Sequence, residues 1–149
     1  MGQIEDKFTE KGYQIKVPEK LTILCPAVRV GNTVRTSGHV SVNTRGKVGT
    51  DVTVEEAYDG ARDAILDCLG AVKWLIGDLD KIKRIVHVLG MVNAGEDFSN
   101  TPGVINGATE LLIDVWGNEA GWHTRSAVGL YQLPGNSSVE LELTVEVTD

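Results

Sequence analysis

Arg125 and Glu140 are the residues of this chain best suited to chemistry. Arg125 stands in the run His123-Thr124-Arg125-Ser126-Ala127-Val128-Gly129, where strand alternation puts Ala127 and Gly129 on the face of its guanidinium. Both are too small to fill the space in front of it. A permanently charged fork of rigid donors beside open space suits a planar anion, such as a small carboxylate. Glu140 follows in the alternating run from Val139 to Val147. A carboxylate such as Glu140 could act as a proton acceptor beside an anchor of that kind. A plainer role is open to each: Arg125 could pair with a glutamate of its own sheet. Glu142 and Glu146, alternating with Val145 and Val147, read as the solvated face of an edge strand.

The elements that must hold these residues follow from periodicity. Residues 21–30 and 34–42 are rich in β-branched side chains and are separated by Gly31-Asn32, the composition of a hairpin turn. Thr53-Val54-Glu55-Glu56 fits a capping box, and Ala57, Ala61, Ile65, Leu69, Val72 and Ile76 then recur at helical spacing until Gly77. A second helix is predicted with Thr101 as N-cap, Pro102 at its first position, Val104, Ala108, Leu111 and Val115 as its apolar row, and Gly117 as its stop. Residues 82–92 read as a strand between the helices. Residues 124–131 and 139–147 read as a closing pair around Leu133-Pro134-Gly135-Asn136. Ahead of all this, residues 1–20 form a tail in which residues 4–11 could make a short helix, leaving 21–149 as one domain.

The order ββαβαββ predicts an α+β fold, a sheet with two helices packed on one face. Both alternate sets of the middle strand are apolar, with Val86, Val88 and Val92 on one side and Ile85, Leu89 and Met91 on the other. A helix layer on one face therefore leaves apolar surface on the second, which predicts an oligomer.

Composition narrows the classes. At 149 residues, 42% apolar and 23% charged, the chain suits one globular domain, and no apolar run approaches the roughly 20 residues of a membrane helix. The acidic start, with Glu5 and Asp6, lacks the apolar core of a signal peptide, so the cytoplasm is the expected compartment. A net charge of −7 with fourteen scattered basic residues argues against a nucleic-acid partner. Cys25 and Cys68 are expected as buried thiols. His39, His87 and His123 lack metal-ligand spacing, so no metal site is predicted. Trp74, Trp116 and Trp122 read as core or interface anchors, with Trp122 the one that could border a cleft.

Thr36-Ser37-Gly38, the capped helix from Thr53, Gly77-Asp78-Leu79, Asp97-Phe98, Asn106, Arg125-Ser126-Ala127-Val128, Leu133-Pro134 and Val139-Glu140-Leu141-Glu142 together resemble the RidA (YjgF) family, also labelled endoribonuclease L-PSP. The resemblance runs over residues 21–147 and implies a chorismate-mutase-like fold and a homotrimer with clefts between neighbouring subunits. It also implies an enamine/imine deaminase that converts small reactive imines to 2-oxo acids and ammonia with no metal or organic cofactor. Carried over by motif, Arg125 would hold the substrate carboxylate and Glu140 would serve the attacking water. Ala127 stands where a cysteine is usual, Asn106 matches an asparagine of the second helix, and Ser37 and Gly38 match the cleft floor. The family's Gly-Pro-Tyr-Ser segment is replaced by Leu24-Cys25-Pro26-Ala27, and His39 stands where glutamine is usual. The missing tyrosine keeps an alternative open, a non-catalytic trimeric protein that binds small carboxylates. A ribonuclease, the third reading, fits poorly with so acidic a chain.

Overall fold

The computed structural model describes residues 2–149. Its elements are α1 (Gln3–Glu10), β1 (Ala27–Val30), β2 (Thr33–Thr36), β3 (His39–Val40), α2 (Val54–Ile76), β4 (Ile82–Asn93), α3 (Thr101–Ala120), β5 (Thr124–Leu130) and β6 (Val139–Val147). The strands form one mixed sheet in the order β1-β2-β6-β4-β5, with β3 also paired to β6. β4 and β5 run parallel and the other pairs antiparallel. α2 and α3 cover one face, as expected of the α+β layout.

α2 begins in the capping box that its sequence predicts: Thr53 Oγ1 accepts from Glu56 N at 3.1 Å while the Glu56 carboxylate accepts from Thr53 N at 3.2 Å. Ala57, Ala61, Ile65, Cys68, Leu69 and Val72 are fully buried, and the helix ends at Gly77, whose φ of 85° is costly for any residue with a Cβ. α3 is capped one residue earlier than predicted. The Asn100 side chain accepts from Gly103 N at 3.2 Å, which frees the Thr101 hydroxyl to donate to Ala127 O at 2.9 Å and ties the first turn of α3 to β5. Gly117, with φ 87° and ψ 175°, breaks the helical path before a last short turn. The two helices cross closely at Gly107, where a Cβ would sit 2.1 Å from Tyr58 O.

Several expectations are corrected. β5 and β6 are not a hairpin. β4 lies between them, because a strand that leaves β4 and returns through a long helix comes back parallel beside it. β6 is consequently a central strand, not an edge, and its glutamates line the uncovered sheet face. The phase of β4 also differs: irregular pairing between Ile85 and His87 turns Ile85 to the helix side with Val88 and Val92, and leaves Val86 39% exposed. The uncovered face carries Val86, Leu89 and Met91 with Val28, Val30 and Val128 from the outer strands, beside the polar row of β6. The first strand starts only after Pro26, so Cys25 is exposed, whereas Cys68 is buried and its thiol is held protonated by that burial.

The N-terminal segment is joined to the body more firmly than a loose tail would be. Asp80, from the turn before β4, accepts from Gln3 N and Ile4 N at 2.9 and 2.8 Å and so caps α1 from a distance. Lys73 pairs with Glu5 at 2.8 Å. Phe8 is 1% exposed and meets Trp116 edge-on, with ring centroids 5.8 Å apart. Phe8→Ala is therefore expected to cost about 3 kcal/mol in denaturant unfolding and to open residues 11–20 to limited proteolysis. An unchanged midpoint and cleavage pattern would show that α1 adds nothing to the core.

Candidate functional site

Arg125 lies on β5, the outermost strand of the sheet, opposite Val88 of β4. Val88 is fully buried beneath the helices, so Arg125 points to the helix side, where its Nη1 donates to Thr109 Oγ1 of α3 at 3.0 Å. Ala127 follows on the same face, partly buried against the core. Gly129 does not face open space as predicted, since a Cβ there would meet Ala94 at 3.1 Å and Thr101 at 3.6 Å. Asn106 is half-buried three residues before Thr109, one turn away along the same row of α3. The Arg125–Thr109 bond joins this row of α3 to the edge strand β5. Among the described residues no carboxylate pairs with Arg125. Most of its donors are therefore available to an anion.

Glu140 occupies the other side of the sheet. It sits between buried Val139 and Leu141, opposite Met91 of β4 and Val40 of β3. Burial, and then the charge of Glu142 on the same face, push its carboxyl above the ordinary carboxylate range. Glu142 is itself paired with Arg35 at 3.1 Å. Gly38 packs directly on Glu140: a Cβ at position 38 would lie 2.1 Å from Oε2, so only glycine lets this carboxylate stay where it is. Ser37 is tied to the preceding loop, its Oγ donating to Cys25 O at 2.6 Å and its N donating to Pro26 O at 3.0 Å. Beside it, burial lowers the pKa of His39, and His39 Nε2 is buried without a hydrogen-bond partner.

The six residues singled out from the sequence therefore form two groups. Arg125, Ala127 and Asn106 belong to the helix side at the β5 edge, and Ser37, Gly38 and Glu140 to the uncovered face. One chain cannot bring an anion on Arg125 to Glu140, because the sheet stands between them.

Two residues of the first group went unnoticed as site residues in the sequence. His123 Nε2 lies 3.1 Å from Thr109 Oγ1, and His123 Nδ1 lies 2.6 Å from Gly121 O. The one available signal was that Asn106 and Thr109 stand one turn apart as polar positions between the apolar rows of α3. Trp122 is 68% exposed and lines a hollow of about 420 Å³ with Arg84, Val86, His123 and Thr124. Arg125 is not among the walls of that hollow. Among the described residues no cluster of three His, Cys, Asp or Glu could hold a metal ion, and no helix is long and apolar enough to cross a membrane.

Comparison with known proteins places this geometry in context. Residues 14–147 match the family model described as "YjgF/chorismate mutase-like, putative endoribonuclease". Protein TCP17 of Trypanosoma cruzi is 38% identical over 104 residues, which are 70% of this chain and 65% of that protein, so the chain spans about two-thirds of its relative's length. The crystal structure of protein Atu1372 from Agrobacterium tumefaciens, described as of unknown function, superposes with a TM-score of 0.87 at 34% identity, covering 97% of this chain and 92% of that one. A structure from Shewanella oneidensis MR-1 described as a "putative endoribonuclease" superposes with a TM-score of 0.90 at 29% identity, covering 98% and 100%.

Proposed function

The chain belongs to the YjgF/chorismate mutase-like family, and from that premise we propose that it is a RidA-type deaminase of the cytoplasm. It hydrolyses small enamines and imines to 2-oxo acids and ammonia in clefts between the subunits of a homotrimer, without a metal or organic cofactor. The observation that carries this reading is the state of Arg125. Its guanidinium is half-buried at an open edge and, among the described residues, is bonded only to a neutral hydroxyl, with no carboxylate paired to it. A charged fork left in that condition is an anchor for a carboxylate from outside.

The reaction asks little more of the protein. With the substrate carboxylate on Arg125, water adds to the carbon of the iminium, the C=N electron pair passing to nitrogen, and gives a proton to Glu140. Glu140 returns that proton to the carbinolamine nitrogen, and the C–N bond breaks as C=O forms and the hydroxyl proton passes to the freed Glu140 carboxylate and on to solvent, releasing ammonia. Because the imine is already electrophilic, orientation and proton transfer suffice. Glu140, its pKa raised by burial and by the Glu142 charge, is a stronger base than an ordinary carboxylate and is suited to take and return a proton. Arg125 and Glu140 face opposite sides of one sheet, so this reading requires the site to be shared, with Ala127 and Asn106 beside the anchor and Ser37 and Gly38 beneath the carboxylate that meets it. The partly exposed apolar side chains of the uncovered face, Val28, Val86 and Val128 among them, support burial against another copy.

The alternative is a carboxylate-binding protein without turnover. It draws on the stretch Leu24-Cys25-Pro26-Ala27, which offers no phenol, and in which Leu24 is 49% exposed. Freshly generated 2-aminoacrylate distinguishes the two. Release of 2-oxo acid above the spontaneous rate, lost in Arg125→Ala, is expected of the enzyme. Binding of pyruvate without acceleration would leave the binder. Light scattering is expected to give three times the chain mass, and a monomer that still turned over would defeat the shared site.

A further inference from the structure

Arg125, Thr109 and His123 form a chain of hydrogen bonds in which each direction can be assigned. Arginine only donates, so Thr109 Oγ1 accepts from Arg125 Nη1 at 3.0 Å. Gly121 O only accepts, so His123 Nδ1, 2.6 Å away, carries the proton. In a neutral ring, Nε2 is then a bare acceptor, and the Thr109 hydroxyl, 3.1 Å from it, has its one proton to give there. Burial, with help from the Arg125 charge and then the His87 charge, lowers the His123 pKa, while the bond to Gly121 O opposes this.

The consequence concerns the hydroxyl. A threonine within a helix can turn its hydroxyl back on its own backbone, as Thr9 does toward Glu5 O at 3.1 Å. Thr109 is instead drawn outward by His123, which leaves the oxygen lone pairs for Arg125. A neutral acceptor holds the guanidinium in place without cancelling its charge, whereas a carboxylate in the same position would compete with the ligand.

Taking the reading of Arg125 as a carboxylate anchor as given, we propose that Thr109 and His123 are positioning residues: His123 orients the Thr109 hydroxyl, and Thr109 holds the Arg125 fork in the orientation that receives a planar carboxylate. Neither touches the reacting atoms. Both act through Arg125.

The test is titration of the full-length protein with pyruvate. Thr109→Val keeps the volume and removes the acceptor, and is expected to weaken pyruvate about tenfold with little change in Tm. Thr109→Ser restores the hydroxyl and is expected to bind nearly as the wild type does. In the wild type, ¹⁵N spectra of the histidine rings are expected to show His123 neutral, protonated on Nδ1 and bare at Nε2. If Thr109→Val binds as tightly as the wild type while Arg125→Ala does not, the positioning role is overturned and the anchor stands. If Arg125→Ala also binds normally, the anchor itself falls and the inference with it. A His123 ring found protonated on Nε2 overturns the proposal whatever the variants do.

Discussion

Replacing Glu140 with glutamine is expected to lower the rate of 2-oxo acid release by about 10²–10⁴-fold while leaving pyruvate binding nearly unchanged. The side chain keeps its shape against Gly38 and loses only its ability to accept a proton. The pH profile gives a second handle on the same residue. Burial and then Glu142 disfavour the charged form of Glu140, so its pKa is raised and the basic form is reached at higher pH than for an ordinary carboxylate. The rate should therefore rise with pH along a limb displaced upward. Glu142→Gln removes the second cause and should move that limb to lower pH; the Arg35 partner of Glu142 tempers the size of the move. Full activity in Glu140→Gln would rule out this carboxylate as the proton acceptor.

Arg125→Lys is the second large effect. A lysine keeps the positive charge but presents a compact ammonium on a flexible stem, with no planar fork to match two carboxylate oxygens. Loss of one charge-assisted bond corresponds to about tenfold in affinity or more, so pyruvate binding should weaken by at least that, and Arg125→Ala should bind more weakly still. Stability should barely respond. Arg125 has no ion pair within its own chain among the described residues, and its one bond goes to a half-buried hydroxyl, so unfolding of either variant should stay within about 0.5 kcal/mol of the wild type in an isolated chain. Tight pyruvate binding by Arg125→Lys would show that charge alone suffices and that the fork geometry is incidental.

Much of the architecture was legible locally. The capping box at Thr53, the apolar row from Ala57 to Ile76, the stop at Gly77 and the alternation from Val139 to Val147 rest on interactions a few residues apart, and each stands where the spacing placed it. The N-cap of α3 was misplaced by one residue because Asn100 and Thr101 are both good caps. The choice fell to Asn100 once β5 offered the Thr101 hydroxyl a carbonyl at Ala127. Arg125, Glu140 and their neighbours could be picked out by chemical type and by resemblance to a family, and those signals also lie along the chain.

What only tertiary structure decided is how these pieces face one another. Strand alternation says that two residues share a face, not which face the helices will cover, and a single irregularity in pairing moved Ile85 inward and Val86 outward. The return of the chain through α3 made β5 a parallel edge strand and left β6 in the middle. That arrangement put Arg125 and Glu140 on opposite sides of one sheet and set Thr109 and His123, unremarkable as sequence, against the guanidinium. The sequence by itself determined the long helices, the long strands, the family and the identities of the charged groups, because these depend on short-range spacing. The faces, the free edge and the company each charge keeps depend on contacts between residues far apart in the chain, and no local pattern encodes them.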